Sequence, residues 1–140
     1  LKDTLVHSEA LRAIDYESPA AVILAVDTSY IAVGYILAQE DEENKKKRYY
    51  SRFGSILLND RKCRFSQPKL EIYGLYRALK TLKIYLIGLR NLIVEVDALS
   101  IGGMLKHPDL VPTASTNRWI ISILAFKFLL RHVPGIFHGP

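Results

Sequence analysis

A chain of 140 residues has the length of one domain, and its 49% hydrophobic and 24% charged shares supply one real core and leave room only for short disordered loops. The net charge of +5 suits a polyanionic partner, although charge alone selects none. A single cysteine, Cys63, excludes an internal disulfide and favours a reducing intracellular setting, and the longest apolar run, residues 20–26, is too short to cross a bilayer.

The chain opens on Leu1-Lys2-Asp3 without a signal-peptide pattern, as a piece of something longer would. Leu1, Leu5, Ala10, Leu11 and Ile14 fall roughly on one side of a short amphipathic helix over 1–15, which Tyr16-Glu17-Ser18-Pro19 ends. Residues 1–19 are expected to be the tail of a preceding domain, and 20–140 the domain itself.

Three strand signals follow. Residues 20–26 form a continuous apolar run ending at Asp27, the pattern of a buried central strand. Residues 31–39 are apolar around Gly34, and 48–53 are rich in aromatics. Between these two lies an acid block, Glu40 to Glu43, followed by Lys45-Lys46-Lys47, which no packed element can bury, so it marks a solvated hairpin tip. The short linkers predict an antiparallel meander. A long helix is expected over 67–87, with Ser66 as N-cap, Pro68 at an early position and Gly88 as the stop. Residues 91–96 read as a strand ending at Asp97, 98–106 as a short helix weakened by Gly102-Gly103, and 107–114 as a proline-bearing loop. A helix containing Trp119 is expected over 116–126, and a last strand over 127–133. This order predicts an α/β domain, a mixed five-stranded sheet with helices on its faces.

Three carboxylates stand where acids carry chemistry. Asp27 and Asp97 each end an apolar strand, and sites in open α/β sheets form at the carboxyl ends of strands. Parallel neighbouring strands would put both on one edge. Glu71 is followed at helical spacing by Leu75, Ala78 and Leu82, so it lies on or beside the sheet-facing stripe near the helix N-terminus. Each acid alone has an ordinary role, in a turn, a cap or a helix dipole. Together they would repel one another, and a divalent cation resolves that repulsion; all-oxygen ligation suits Mg²⁺ or Mn²⁺.

The chain resembles the ribonuclease H domain that follows reverse transcriptase in gypsy-type LTR retrotransposons, most closely fungal forms. The resemblance rests on Ala25-Val26-Asp27-Thr28-Ser29, Arg48-Tyr49-Tyr50-Ser51-Arg52-Phe53-Gly54-Ser55, Arg64-Phe65-Ser66-Gln67-Pro68-Lys69-Leu70-Glu71, Val94-Glu95-Val96-Asp97-Ala98, Asn117-Arg118-Trp119 and His132-Val133-Pro134-Gly135, in the family's order over almost the whole chain. Each motif is weak alone; the ordered set is specific. The resemblance implies a ribonuclease H-like fold and endonucleolytic hydrolysis of the RNA strand of RNA·DNA hybrids during reverse transcription. It also implies two Mg²⁺ or Mn²⁺ ions, with Asp27, Glu71 and Asp97 as catalytic ligands, and shape and 2′-OH contacts that select hybrid. The implied partners are the hybrid and the polymerase module of the same polyprotein, with no membrane. The implied setting is intracellular: cytoplasmic virus-like particles, and the nucleus.

Two departures from the family stand out. A fourth family aspartate would follow the His132 to Gly135 segment, yet the chain ends at Pro140 with no acid after Arg131. Ala98-Leu99 stand where many relatives have a His and a basic residue. Arg61, Lys62, Arg64 and Lys69 surround the start of the long helix, and Ser29, Arg64, Ser66, Gln67 and Lys69 are the candidate nucleic-acid contacts. Tyr49, Tyr50, Tyr73 and Trp119 read as core residues ahead of stacking platforms. The alternative is a catalytically incomplete binding or scaffolding module. An integrase-like nuclease, with its glutamate after both aspartates, does not fit the order Asp27, Glu71, Asp97.

Overall fold

The computed structural model describes residues 11–59, 65–97 and 114–134. The predicted short helix and residues 107–113 of the proline loop, together with Cys63, Arg61, Lys62 and Arg64, lie outside the described residues. Among the described residues eight elements follow one another: β1 Val22–Thr28, β2 Ala32–Glu40, β3 Arg48–Leu57, α1 Gln67–Thr81, α2 Lys83–Leu86, β4 Leu92–Val96, α3 Ala114–Leu124 and β5 Leu129–His132. The strands form one sheet in the order β3-β2-β1-β4-β5. The meander pairs antiparallel, whereas β1–β4 and β4–β5 pair parallel. This is the mixed five-stranded sheet that the sequence predicts.

Period-two alternation divides each strand between two faces. Val22, Leu24 and Val26 of β1 and Val94 and Val96 of β4 join Ile72, Leu75, Ala78 and Leu79 of α1 and Ile120 and Ile123 of α3 in one core. β1 is central, so its opposite face is also withdrawn from water, with Ile23 and Ala25 buried. That explains why it reads as an unbroken apolar run.

Boundaries shift where packing overrides local pattern. The long helix is interrupted at Leu82, which leaves the helical conformation (φ −98°, ψ 7°) and begins the single turn of α2. The bend keeps both Leu82 and Leu86 in the core. Gly88 does mark the stop, with φ at +88°, where a side chain is strained. β3 runs on to Leu57 because its ladder with β2 continues through Gly34↔Ser55 and Ala32↔Leu57, and the register slips between Leu37 and Ala38.

Residues 11–15 are not helical. They form a strap across the end of the sheet. The Arg12 N–H donates to the Tyr50 carbonyl (2.9 Å), Ile14 enters the core, and the Gln39 side chain bonds both the N–H (2.9 Å) and the carbonyl (3.0 Å) of Asp15. These tertiary bonds satisfy the backbone in place of helical ones.

Candidate active site at the carboxyl edge of the sheet

Asp27 is the penultimate residue of β1, and Asp97 directly follows β4. The parallel ladder ends at Val26↔Val96, and the same register carried one step further sets Asp27 beside Asp97. Glu71 comes from above, out of the first part of α1. Its helix is brought down by a close approach at Gly74, where any β-carbon would overlap the Thr28 side chain. Gly74 stands three positions after Glu71, and Thr28 one after Asp27, so this contact draws the glutamate toward the strand end.

Glu71 is only 9% exposed, although it carries a carboxyl group. Burial pushes that carboxyl up to about 7 from an ordinary 4.5. The hydrogen bond from Gln67 works against this, while the negative charges of Asp27 and Asp97 push it further up. The field of all three acids therefore meets at Glu71. Gln67 Nε2 donates to Glu71 Oε1 at 2.7 Å, one helical turn away, and so holds the carboxylate's orientation.

The remaining sequence candidates are placed differently. The Ser29 hydroxyl is engaged locally, donating to the Ala32 carbonyl at 3.2 Å and accepting from the Ile31 and Ala32 N–H groups. Ser66 has the extended N-cap conformation, but its side chain makes no capping bond. Lys69 lies over the Phe65 ring (4.4 Å to the centroid) and near Trp119 (5.8 Å). Phe65, Tyr73, Tyr76 and Trp119 pack as one aromatic cluster between α1 and α3. Tyr73 is buried there, as the core reading of it expects.

Two partnerships escaped the sequence reading. Glu95, two residues before Asp97, is 3% exposed and takes a two-pronged bond from Arg48 (3.1 and 2.9 Å) and another from Arg131 (3.1 Å). Its only sequence signal was a lone charge within an apolar run. His132 Nε2 lies 2.6 Å from the Asp97 carbonyl.

Three carboxylates offer hard oxygen donors, which fit Mg²⁺ or Mn²⁺. A cation there would also relieve the charge that raises Glu71. Among the described residues, no three His, Cys, Asp or Glu side chains already close into a metal cage. No helix among them is long and apolar enough to cross a membrane.

Residues 1–94 match the family described as the RNase H-like domain found in reverse transcriptase. The chain is similar to the retrovirus-related Pol polyprotein from transposon 297 of Drosophila melanogaster, with 25% identity over 135 residues. That alignment takes in 96% of the chain and 12% of the polyprotein, so the chain spans a small part of that relative's length. Among solved structures, it resembles the foamy viral protease-reverse transcriptase in complex with RNA/DNA hybrid (TM-score 0.61, 14% identity, 99% of this chain and 19% of that one). It also resembles RNase H1 from the archaeon Halobacterium salinarum NRC-1 (TM-score 0.54, 13% identity, 81% and 86%). At these identities the likeness establishes the fold, which is that of ribonuclease H.

Proposed function

Because the chain belongs to the family of RNase H-like domains found in reverse transcriptase, we propose that it is the nuclease module of a retrotransposon polyprotein, a hydrolase that cuts the RNA strand of RNA·DNA hybrid. The ordered motifs support a gypsy-type LTR element of the fungal kind as its source, with the polymerase module as covalent partner. The setting proposed with it is an intracellular one, in cytoplasmic particles and the nucleus.

One observation carries the catalytic reading. Glu71 is held almost out of water while two further acids load negative charge onto it. Such an arrangement is unfavourable without a counter-charge, and so is characteristic of a functional site. Asp27, Glu71 and Asp97 would hold one or two Mg²⁺ or Mn²⁺ ions, whose bound form supplies Lewis acidity to polarise a phosphate and to ease loss of a proton from water. The chain's own part is placement. The parallel ladder fixes the two aspartates, the Gly74–Thr28 approach lowers Glu71 toward them, and Gln67 orients its carboxylate. Ser29, Arg64, Ser66, Gln67 and Lys69 are the proposed contacts to hybrid phosphate and sugar, with Lys69 holding its charge beside the start of α1.

The test is cleavage of end-labelled RNA·DNA hybrid titrated with Mg²⁺ and with Mn²⁺, run on this chain and on a form extended past Pro140. Cleavage should require the cation and should disappear in Asp27→Asn, Glu71→Gln and Asp97→Asn while folding survives. Full activity in all three variants would sink the site assignment. The second reading is a catalytically incomplete binding or scaffolding module. It predicts salt-sensitive hybrid binding without cleavage in either form.

A further inference from the structure

Lys69, Tyr73, Tyr76 and Lys80 recur at the i, i+4, i+7, i+11 spacing of one stripe of α1. The stripe faces away from the sheet, because Ala78, half a turn round the helix, is buried in the core. Trp119 of α3 joins it, with its ring 4.8 Å from Tyr73, 6.3 Å from Tyr76 and 5.6 Å from Phe65, centroid to centroid. Phe65, Tyr76 and Trp119 stay half-buried, so the patch reaches the surface. All three cations of α1 sit over its rings. Lys69 lies 4.4 Å from the Phe65 centroid, Arg77 5.7 Å from Tyr73 and Lys80 5.7 Å from Tyr76. Arg77 Nη1 also donates to the Tyr73 hydroxyl at 2.8 Å. The only acid of α1 is Glu71, buried on another side, and α3 has none. The two helices that build the patch therefore bring no exposed negative charge to neutralise it.

We infer that this row is a further stretch of the hybrid-binding surface, with Arg77 and Lys80 continuing the grip that Lys69 begins beside the carboxylate edge. Long cationic side chains lose rotamer freedom when they grasp a ligand. Here the rings have ordered them beforehand, so the charges stand ready in a fixed line. The ring faces are covered by those cations and are seats, not stacking platforms for bases. What the surface offers a partner is positive charge, which selects the sugar-phosphate backbone and not the sequence. Lys69 and Lys80 are separated by a rise of about 16 Å. Along a duplex axis, one strand sets down roughly five phosphates over that length. The row starts two residues before Glu71 and leads away from it, so it holds backbone remote from the bond to be cut. This inference rests on the reading of the chain as a nuclease that acts on RNA·DNA hybrid.

The experiment follows binding of fluorescein-labelled RNA·DNA hybrid to the whole chain by anisotropy, in EDTA so that nothing is cut, over a range of NaCl concentrations. The slope of log affinity against log salt counts the counter-ions released. Lys69→Gln, Arg77→Gln and Lys80→Gln should each flatten that slope by about 0.7 to 0.9, and the triple variant by about two to three. Hybrids of unrelated sequence should lose affinity alike. Arg77→Lys keeps the charge and should keep the slope. Should Arg77→Gln fail to fold, the Lys69→Gln, Lys80→Gln pair carries the test. Lys46→Gln removes the same charge at the hairpin tip and should leave the slope alone. An unchanged slope in the triple variant overturns the proposal, as does equal flattening by Lys46→Gln. Trp119 is the chain's only tryptophan. Deep quenching of its emission by hybrid would mean that bases stack on the rings, which overturns the backbone reading. If the parent chain binds no hybrid at all, the nuclease reading itself has failed; if it binds and the triple variant keeps the slope, only the placement of this surface has.

Discussion

A side chain at Gly74 would overlap both the hydroxyl and the methyl group of Thr28. Helix α1 therefore rests on the end of β1 with nothing between its backbone and that threonine. The Thr28 hydroxyl is buried there with no hydrogen-bond partner among the described residues, a further mark of how tightly the two elements meet. This contact sets the height of Glu71 above Asp27.

Gly74→Ala should destabilise the fold. Forcing extra volume into a packed contact costs about 1–3 kcal/mol, and the better helix propensity of alanine returns at most about 1 kcal/mol. Adding Thr28→Ala should recover part of the loss, since it removes two of the three overlapping atoms. Urea denaturation of the two single variants and the double variant measures the coupling directly. Simple additivity would mean that the helix does not rest on Thr28.

The raised Glu71 carboxyl makes stability depend on pH. Its folded-state value of about 7 exceeds the ordinary 4.5, so the folded chain holds this proton more tightly than the unfolded one. The resulting stabilisation is complete below about pH 4.5 and declines as pH rises, disappearing above about 7. Without divalent cations, the protein should be more stable to urea at pH 5 than at pH 8. Glu71→Gln should flatten this slope, and an unchanged slope in that variant would refute the assignment.

Glu95→Gln should cost about 1.5–3 kcal/mol, the range for hydrogen bonds to charged groups. The larger loss expected when a buried charge is stranded does not apply. The side chains of Arg48 and Arg131 remain 33% and 42% exposed and can turn to water. Thermal melts of Glu95→Gln beside Arg48→Met and Arg131→Met would show which arm matters more. The two-pronged Arg48 arm should dominate.

Much of this was legible in the residues. The apolar runs before Asp27 and Asp97 announced buried strands, and the spacing of Leu75, Ala78 and Leu82 behind Glu71 put that acid on the inner stripe, where it is buried. Short-range periodicity carries such information because it depends only on neighbours. What stayed hidden was tertiary. Arg48 and Arg131 reach Glu95 from distant parts of the chain, and Gln39 ties down the Asp15 backbone across 24 positions. No local pattern encodes those encounters. The interruption at Leu82 was equally opaque, because its cause is the route two leucines take into the core and not any breaker residue. The candidate phosphate contacts were chosen for residue type alone, and two of them, Ser29 and Gln67, already hydrogen-bond to neighbours within the chain.

The parallel pairing of β1 with β4 also governs how the chain comes to be made. As the polypeptide leaves the ribosome, Val22–Thr28 finds β2 at once across a tight turn. Its other edge must wait until β3, all of α1 and α2 have been synthesised and Leu92–Val96 emerges. Through that interval the nascent chain displays an unpaired, strongly apolar central strand, the kind of edge that recruits neighbouring chains or chaperones. Asp27 and Asp97 meet only when that gap is filled, so a partly translated molecule has no assembled carboxylate edge at all.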